Sequence, residues 1–151
     1  AANFLRKLNE LFNPGDLLVT GFDLKKDPDK ILAAYNDASG ATRDFNLNLL
    51  KRINRELDGD FDLSKWKHWP SYNAVTGATR SCIVSTCKQR VTIGALSRTY
   101  DFEAWEAIDL EISQKYSRQD IESLASETGF THESHLTDTN GYFVDSIWRK
   151  A

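Results

Sequence analysis

The run Leu17-Leu18-Val19-Thr20-Gly21-Phe22 constrains this chain more than any other stretch. A helical spacing of Phe4, Leu5, Leu8, Leu11 and Phe12 leads into it, and Asn13-Pro14-Gly15-Asp16 stops that helix sharply. A strand that is apolar at consecutive positions has two faces to bury, which predicts a parallel sheet covered on both sides. The strand has no predecessor, so such a sheet is hard to complete within this chain. Together with the absence of methionine and the start at Ala1-Ala2, this suggests a segment of something longer.

The remaining punctuation is clear. Asp27 is a good N-cap with Pro28 at the first helical position, followed by Ile31, Leu32 and Tyr35 on one side. Gly40 interrupts that helix, and Thr42 is placed to cap a second one. There Phe45, Leu49, Leu50, Ile53 and Leu57 form an apolar stripe that ends at Asp58-Gly59-Asp60. Asn46 and Asn48 lie off the centre of the stripe, as solvent-facing or end-capping residues or as polar groups aimed at a ligand. From Trp66 to Phe102 the texture turns β-rich, with a turn at Val75 to Ala78 and best strands at Ser81 to Ser85 and Arg90 to Leu96. A strand from Leu110 to Tyr116 follows. Next comes a helix from Arg118 to about Thr128, capped by Ser117 and closed by Gly129. Two strands flanking Asn140-Gly141 end the chain, a pair that favours a tight hairpin turn.

Composition excludes several classes. With 40% hydrophobic residues and 27% charge in 151 residues, the chain is an ordinary water-compatible domain by its numbers. A net charge of -3 argues against binding of nucleic acid through its phosphate backbone, and Lys65-Trp66-Lys67-His68 reads as a solvated basic patch. No apolar run approaches the roughly 20 residues that span a bilayer, and no signal-peptide core is visible, which leaves the cytoplasm as the default expectation. Cys82 and Cys87, placed on one strand, should point to opposite faces and remain reduced thiols. His68, His132 and His135 show no metal-ligand spacing with one another or with the cysteines, so no metal site is expected.

Several blocks in order then resemble a known family. They are Asp23-Leu24-Lys25-Lys26-Asp27-Pro28, Ala34-Tyr35-Asn36-Asp37 through Phe45-Asn46-Leu47-Asn48, Ile53-Asn54-Arg55-Glu56-Leu57 with Asp60-Phe61-Asp62, and Glu111-Ile112-Ser113-Gln114-Lys115-Tyr116. Together they resemble the histidine-specific Nα-methyltransferases of ergothioneine biosynthesis over nearly the whole chain. In that family S-adenosylmethionine donates three methyl groups in turn to the amino group of L-histidine, giving hergynine. The resemblance implies an α/β fold: the C-terminal part of a Rossmann-like class I methyltransferase sheet with an inserted α+β substrate-binding domain. It also implies a division into 1–24 (end of the methyltransferase core), 25–115 (substrate domain) and 116–151 (return to the core). Neither a glycine-rich cofactor loop nor its ribose-binding acid is recognisable here, so the cofactor site is expected in a missing N-terminal half, in cis or in trans. This segment alone is expected to be inactive.

The resemblance implies no catalytic side chain, because methyl transfer from a sulfonium needs mainly an aligned, desolvated amine. It implies substrate-binding roles for Tyr35, Glu111, Ser113 and Ser81. Tyr35 would donate to the substrate carboxylate, or serve as a half-buried helix residue. Glu111 would accept from the imidazole with Ser113 as its polar partner, or pair with Lys115 on the same strand face. At Arg80-Ser81 the family usually has Glu-Met, so an apolar wall against the imidazole is replaced by a hydroxyl that widens the pocket or adds a polar contact. The alternative to an enzyme part is a non-catalytic amino-acid-binding module or split subunit derived from that family.

Overall fold

A computed structural model describes residues 1–151, and two compact units emerge from it: residues 1–26 with 114–151, and residues 27–113. The first unit holds helix α1 (Ala2–Glu10), strand β1 (Leu17–Asp23), helix α4 (Arg118–Glu127) and strands β7 (Phe130–Thr137) and β8 (Phe143–Lys150). Its sheet runs β1-β8-β7 and is antiparallel throughout, with Val19 opposite Ile147 and Phe130 opposite Lys150. The parallel sheet expected from the apolar run is therefore not what β1 joins in this chain. Alternate residues Phe22, Val144 and Trp148 enter one core with Leu5, Ile121, Ala125 and Phe130, while Leu17 and Val19 are 49% and 60% exposed. The Trp148 ring stacks on Phe22 with centroids 5.7 Å apart, and its Nε1 donates to Ser146 Oγ at 2.6 Å, so the indole is both packed and satisfied. On the opposite face the Phe143 ring lies over Gly21, where a Cβ would come within 2.6 Å of the ring tip and displace it.

Helix α4 starts as its sequence predicts. Asp120 N–H donates to Ser117 Oγ at 3.1 Å, and Ser117 N–H donates to the Asp120 carboxylate at 2.8 Å. Its end needs Gly129 at φ +83°, whose carbonyl accepts from Asn9 Nδ2 at 2.8 Å. The β7–β8 connection is wider than a two-residue turn: the Asp138 carboxylate accepts backbone N–H bonds from Asn140, Tyr142 and Phe143 and organises a five-residue loop from Asp138 to Tyr142.

The second unit contains α2 (Pro28–Tyr35), α3 (Ala41–Leu57), β2 (Trp66–Asn73), β3 (Ala78–Ser85), β4 (Gln89–Ile93), β5 (Arg98–Phe102) and β6 (Ala107–Gln114). One sheet is ordered β2-β3-β6 and a separate hairpin pairs β4 with β5, so the two strands read best from sequence do not pair with each other. Leu50, Phe61, Trp66, Ile83, Val91 and Ile93 make the core, with Ile108 and Leu110 against it. Asp27 caps α2, accepting from Asp29 N–H at 2.9 Å. Thr42 does not cap α3. The N-cap is Gly40, and Asp37 supplies the acceptor, taking the N–H groups of Ala41 and Thr42 at 2.9 Å each. The stripe of α3 is rotated from its expected direction: Leu50 is buried as expected, but Phe45 is 74% exposed and Asn46 is buried. Cys87 lies beyond β3, so the two cysteines do not share a strand, and both are free thiols. In the basic patch, Lys65 and Lys67 are exposed while Trp66 and His68 are buried. No helix is long and apolar enough to cross a membrane.

Candidate functional site

A cleft of about 220 Å³ in the second unit is walled by Phe45, Asn46, Asn48, Leu49 and Arg52 of α3 and by Leu110 and Glu111 of β6. Helical spacing puts Phe45, Asn48, Leu49 and Arg52 on neighbouring turns of one side, so an amide and apolar atoms line the same wall. Glu111 is exposed and makes no ion pair or hydrogen bond within the protein. Arg52 is engaged by Glu56, with Nε and Nη2 donating at 3.2 and 3.1 Å, so it leaves the Glu111 carboxylate unneutralised. The rival pairing of Glu111 with Lys115 is not made. Strand β6 ends at Gln114, and the Lys115 ammonium, only 2% exposed, sits 2.8 Å from Asp23 Oδ2.

His68 and Asn46 form the supporting layer, which the sequence did not point out. His68 Nε2 lies 2.9 Å from the Tyr35 carbonyl oxygen and its Nδ1 lies 3.3 Å from Asn46 Nδ2. A carbonyl only accepts, so Nε2 is the nitrogen that donates to Tyr35, and Nδ1 faces the Asn46 amide. This chain of bonds ties the C-terminus of α2, where Tyr35 sits half-buried, to a wall of the cleft. The only available sequence signal was the alternation Trp66, His68, Pro70 along β2. A second cleft, of about 310 Å³, is lined by Leu32, Asn36, Lys67, His68 and Trp69.

The four residues marked by the resemblance are not all brought together. Glu111 stands on the cleft wall, with Ser113 two residues along β6 and half-buried. Tyr35 lines neither cleft; only its backbone carbonyl is tied to the wall, through His68 and Asn46. Ser81 is 2% exposed, opposite Pro70 in the β2–β3 pairing, and lies on neither cleft wall. Beside it Cys82 Sγ donates to Asp109 Oδ1 at 3.1 Å, and burial, with that carboxylate adding to it, pushes the thiol up to about 11, which makes it a poor nucleophile.

The histidines in the first unit also depart from expectation. A β-bulge between His132 and Ser134 turns His132 and His135 to one face of β7, with ring centroids 4.1 Å apart and Glu122 of α4 within 3.5 Å of His135 Nε2. Burial lowers His135 below the usual imidazole range, with His132 and Arg118 acting in the same direction and Glu122 opposing.

Residues 1–150 match the family described as histidine-specific, S-adenosylmethionine-dependent methyltransferases, and the chain belongs to that family. A histidine N-alpha-methyltransferase of Mycobacterium tuberculosis is 37% identical over 99% of this chain and 46% of its own length. The Mycolicibacterium smegmatis protein of the same name is 35% identical over 97% of this chain and 46% of its own. An ergothioneine biosynthesis protein 1 of Neurospora crassa is 31% identical over 94% of this chain and 16% of its own. The chain thus spans about half the length of the two bacterial relatives.

The cofactor in the family description finds no glycine cradle among these residues. The two strand-to-helix connections, Leu24 to Asp27 and Lys115 to Ser117, contain no glycine. The glycines with positive φ are Gly15, Gly40, Gly77, Gly129 and Gly141, none of them in such a connection.

Proposed function

We propose that this chain is the substrate-reading part of an S-adenosylmethionine-dependent histidine Nα-methyltransferase of ergothioneine biosynthesis, with the cofactor held by the part of the longer relatives outside the match. Residues 27–113 then act as the substrate domain, and residues 1–26 with 114–151 belong to the methyltransferase core. The observation that carries the reading is Glu111, an exposed carboxylate without a protein partner on the wall of a small cleft also lined by Asn48 and Phe45. An unpaired carboxylate there favours a ligand that brings its own N–H donor, which an imidazole does. Ser113, as the second polar group, serves the other ring nitrogen, and Tyr35 serves the substrate carboxylate. The chain's contribution is orientation and exclusion of water from the α-amine; no side chain acts as nucleophile. Ser81 is best read as part of the packing behind the site, since its side chain is buried.

In the complete enzyme, Glu111→Ala is expected to lower kcat/KM for histidine by roughly 100-fold, the scale of a lost charged hydrogen bond at about 2–3 kcal/mol, while cofactor affinity stays unchanged. An unchanged specificity constant for histidine would remove Glu111 from the site. Histidine binding by the complete protein with no methyl transfer in the presence of S-adenosylmethionine would favour the binding-module reading instead.

A further inference from the structure

The cluster at His132, His135 and Glu122 has no place in the reading above. The two histidines stand at i and i+3, with Glu133 and Ser134 between them, which on a regular strand would send them to opposite faces. The bulge at Glu133 inserts one extra residue, so both rings turn to the side covered by α4, opposite the buried Trp148 and Ser146 of β8. Their ligand atoms and the Glu122 carboxylate all lie within 4.8 Å of one another.

The second observation is what the rings lack. The His135 side chain is 8% exposed, and neither of its ring nitrogens has a hydrogen-bond partner; His132 Nε2 is buried and equally unsatisfied. Burying such a polar group without a partner is costly, and native structures leave few of them. Glu122 approaches His135 Nε2 only at 3.5 Å, too far to satisfy it. Two imidazole lone pairs and one carboxylate oxygen converging on one point form a donor set suited to a borderline divalent cation.

We infer that His132, His135 and Glu122 form a binding site for a divalent transition-metal cation of the Zn²⁺ type, with a fourth position open to water. At metal–ligand distances of about 2.0–2.1 Å, tetrahedral ligand atoms stand ~3.3 Å apart. The ligand atoms lie within 4.8 Å of one another, and the Glu122 side chain, half exposed and 3.5 Å from His135 Nε2, has room to adjust toward that geometry. The cationic Arg118 is engaged by β7, its Nη2 donating to Thr137 Oγ1 at 2.9 Å. A bound cation would join α4 to β7 across the bulge, within the first unit.

The test is calorimetric titration of the metal-stripped full chain with ZnCl₂, paired with thermal unfolding. The expected result is one Zn²⁺ per chain at micromolar affinity or better, with a rise in Tm. His135→Ala should abolish the binding. Glu122→Gln, an exposed change that leaves the core intact, should weaken it roughly 10-fold or more. Cys87→Ser should keep it, which separates this site from a thiol site. Absence of binding to the wild-type chain, or binding unaltered by Glu122→Gln and by His135→Ala, would overturn the assignment. If His135→Ala fails to fold, Glu122→Gln alone decides.

Discussion

At the scale of single residues the chain shows how differently two carboxylates are used. Glu111 is left unpaired at a cleft, whereas Asp23 is committed to structure. The buried ammonium of Lys115 faces it at 2.8 Å, and Lys26 also donates to it and to the Tyr142 carbonyl at 3.2 Å. Partial burial alone would raise the Asp23 carboxyl, but the hydrogen bonds and charges of Lys115 and Lys26 outweigh it and hold the group below its ordinary 3.8. A carboxyl lowered in the folded state stabilises above its unfolded value, and the stabilisation is lost as pH falls from there through the folded value. Asp23→Asn is expected to cost about 2–3 kcal/mol at pH 7, since it removes a carboxylate from a buried ammonium. Urea unfolding at pH 7 and pH 3 checks this: the gap between wild type and variant should narrow at the lower pH, and a constant gap would mean that the ion pair is not its source.

Among the elements, the helices show local chemistry at work and then its limits. Helix α4 begins with two reciprocal hydrogen bonds between Ser117 and Asp120, so Ser117→Ala should destabilise the first unit by about 1 kcal/mol in chemical denaturation, and Ser117→Asp should restore most of it. Helix α3 carries the reverse lesson. One stripe, through Phe45, Leu49, Leu50, Ile53 and Leu57, was expected inside; Leu50 is buried and Ile53 half-buried, but Phe45, Leu49 and Leu57 are exposed. The structure buries Asn46 because His68 presents a ring nitrogen to it, and Phe45 is left to the cleft wall. A polar partner across the interface outweighs the hydrophobic count when it satisfies the buried amide. In the same way the terminal strands were legible, but the bulge in β7 was not, since nothing in Thr131-His132-Glu133-Ser134-His135 marks the extra residue.

At the scale of the whole molecule, β1 stands at the edge of its sheet with Leu17 and Val19 exposed, and on that edge a parallel bridge to Tyr116 engages only its end, where the Asp23 carbonyl accepts from Tyr116 N–H. An exposed apolar edge is a template for pairing with another strand. The 151-residue chain is expected to self-associate as its concentration rises, and Val19→Lys should reduce this without unfolding the chain. Sedimentation measured over a range of concentrations decides it: a chain that stays monomeric throughout would show that the edge is silent.

What the sequence determined by itself was local or cumulative. Caps at Asp27 and Ser117, breaks at Pro14-Gly15 and Asp58-Gly59, and the helices and strands between them are set by groups within a few residues, so they are written where they act. Family membership was legible because matching blocks accumulate along the chain without reference to its geometry. Only the tertiary structure decided which strand β1 pairs with, how far the stripe of α3 turns inward, that Lys115 goes to Asp23 and leaves Glu111 open, and that His132 and His135 meet. Each depends on groups brought together by the chain's return through space, where one added residue in a strand or one satisfied buried amide outweighs the local pattern.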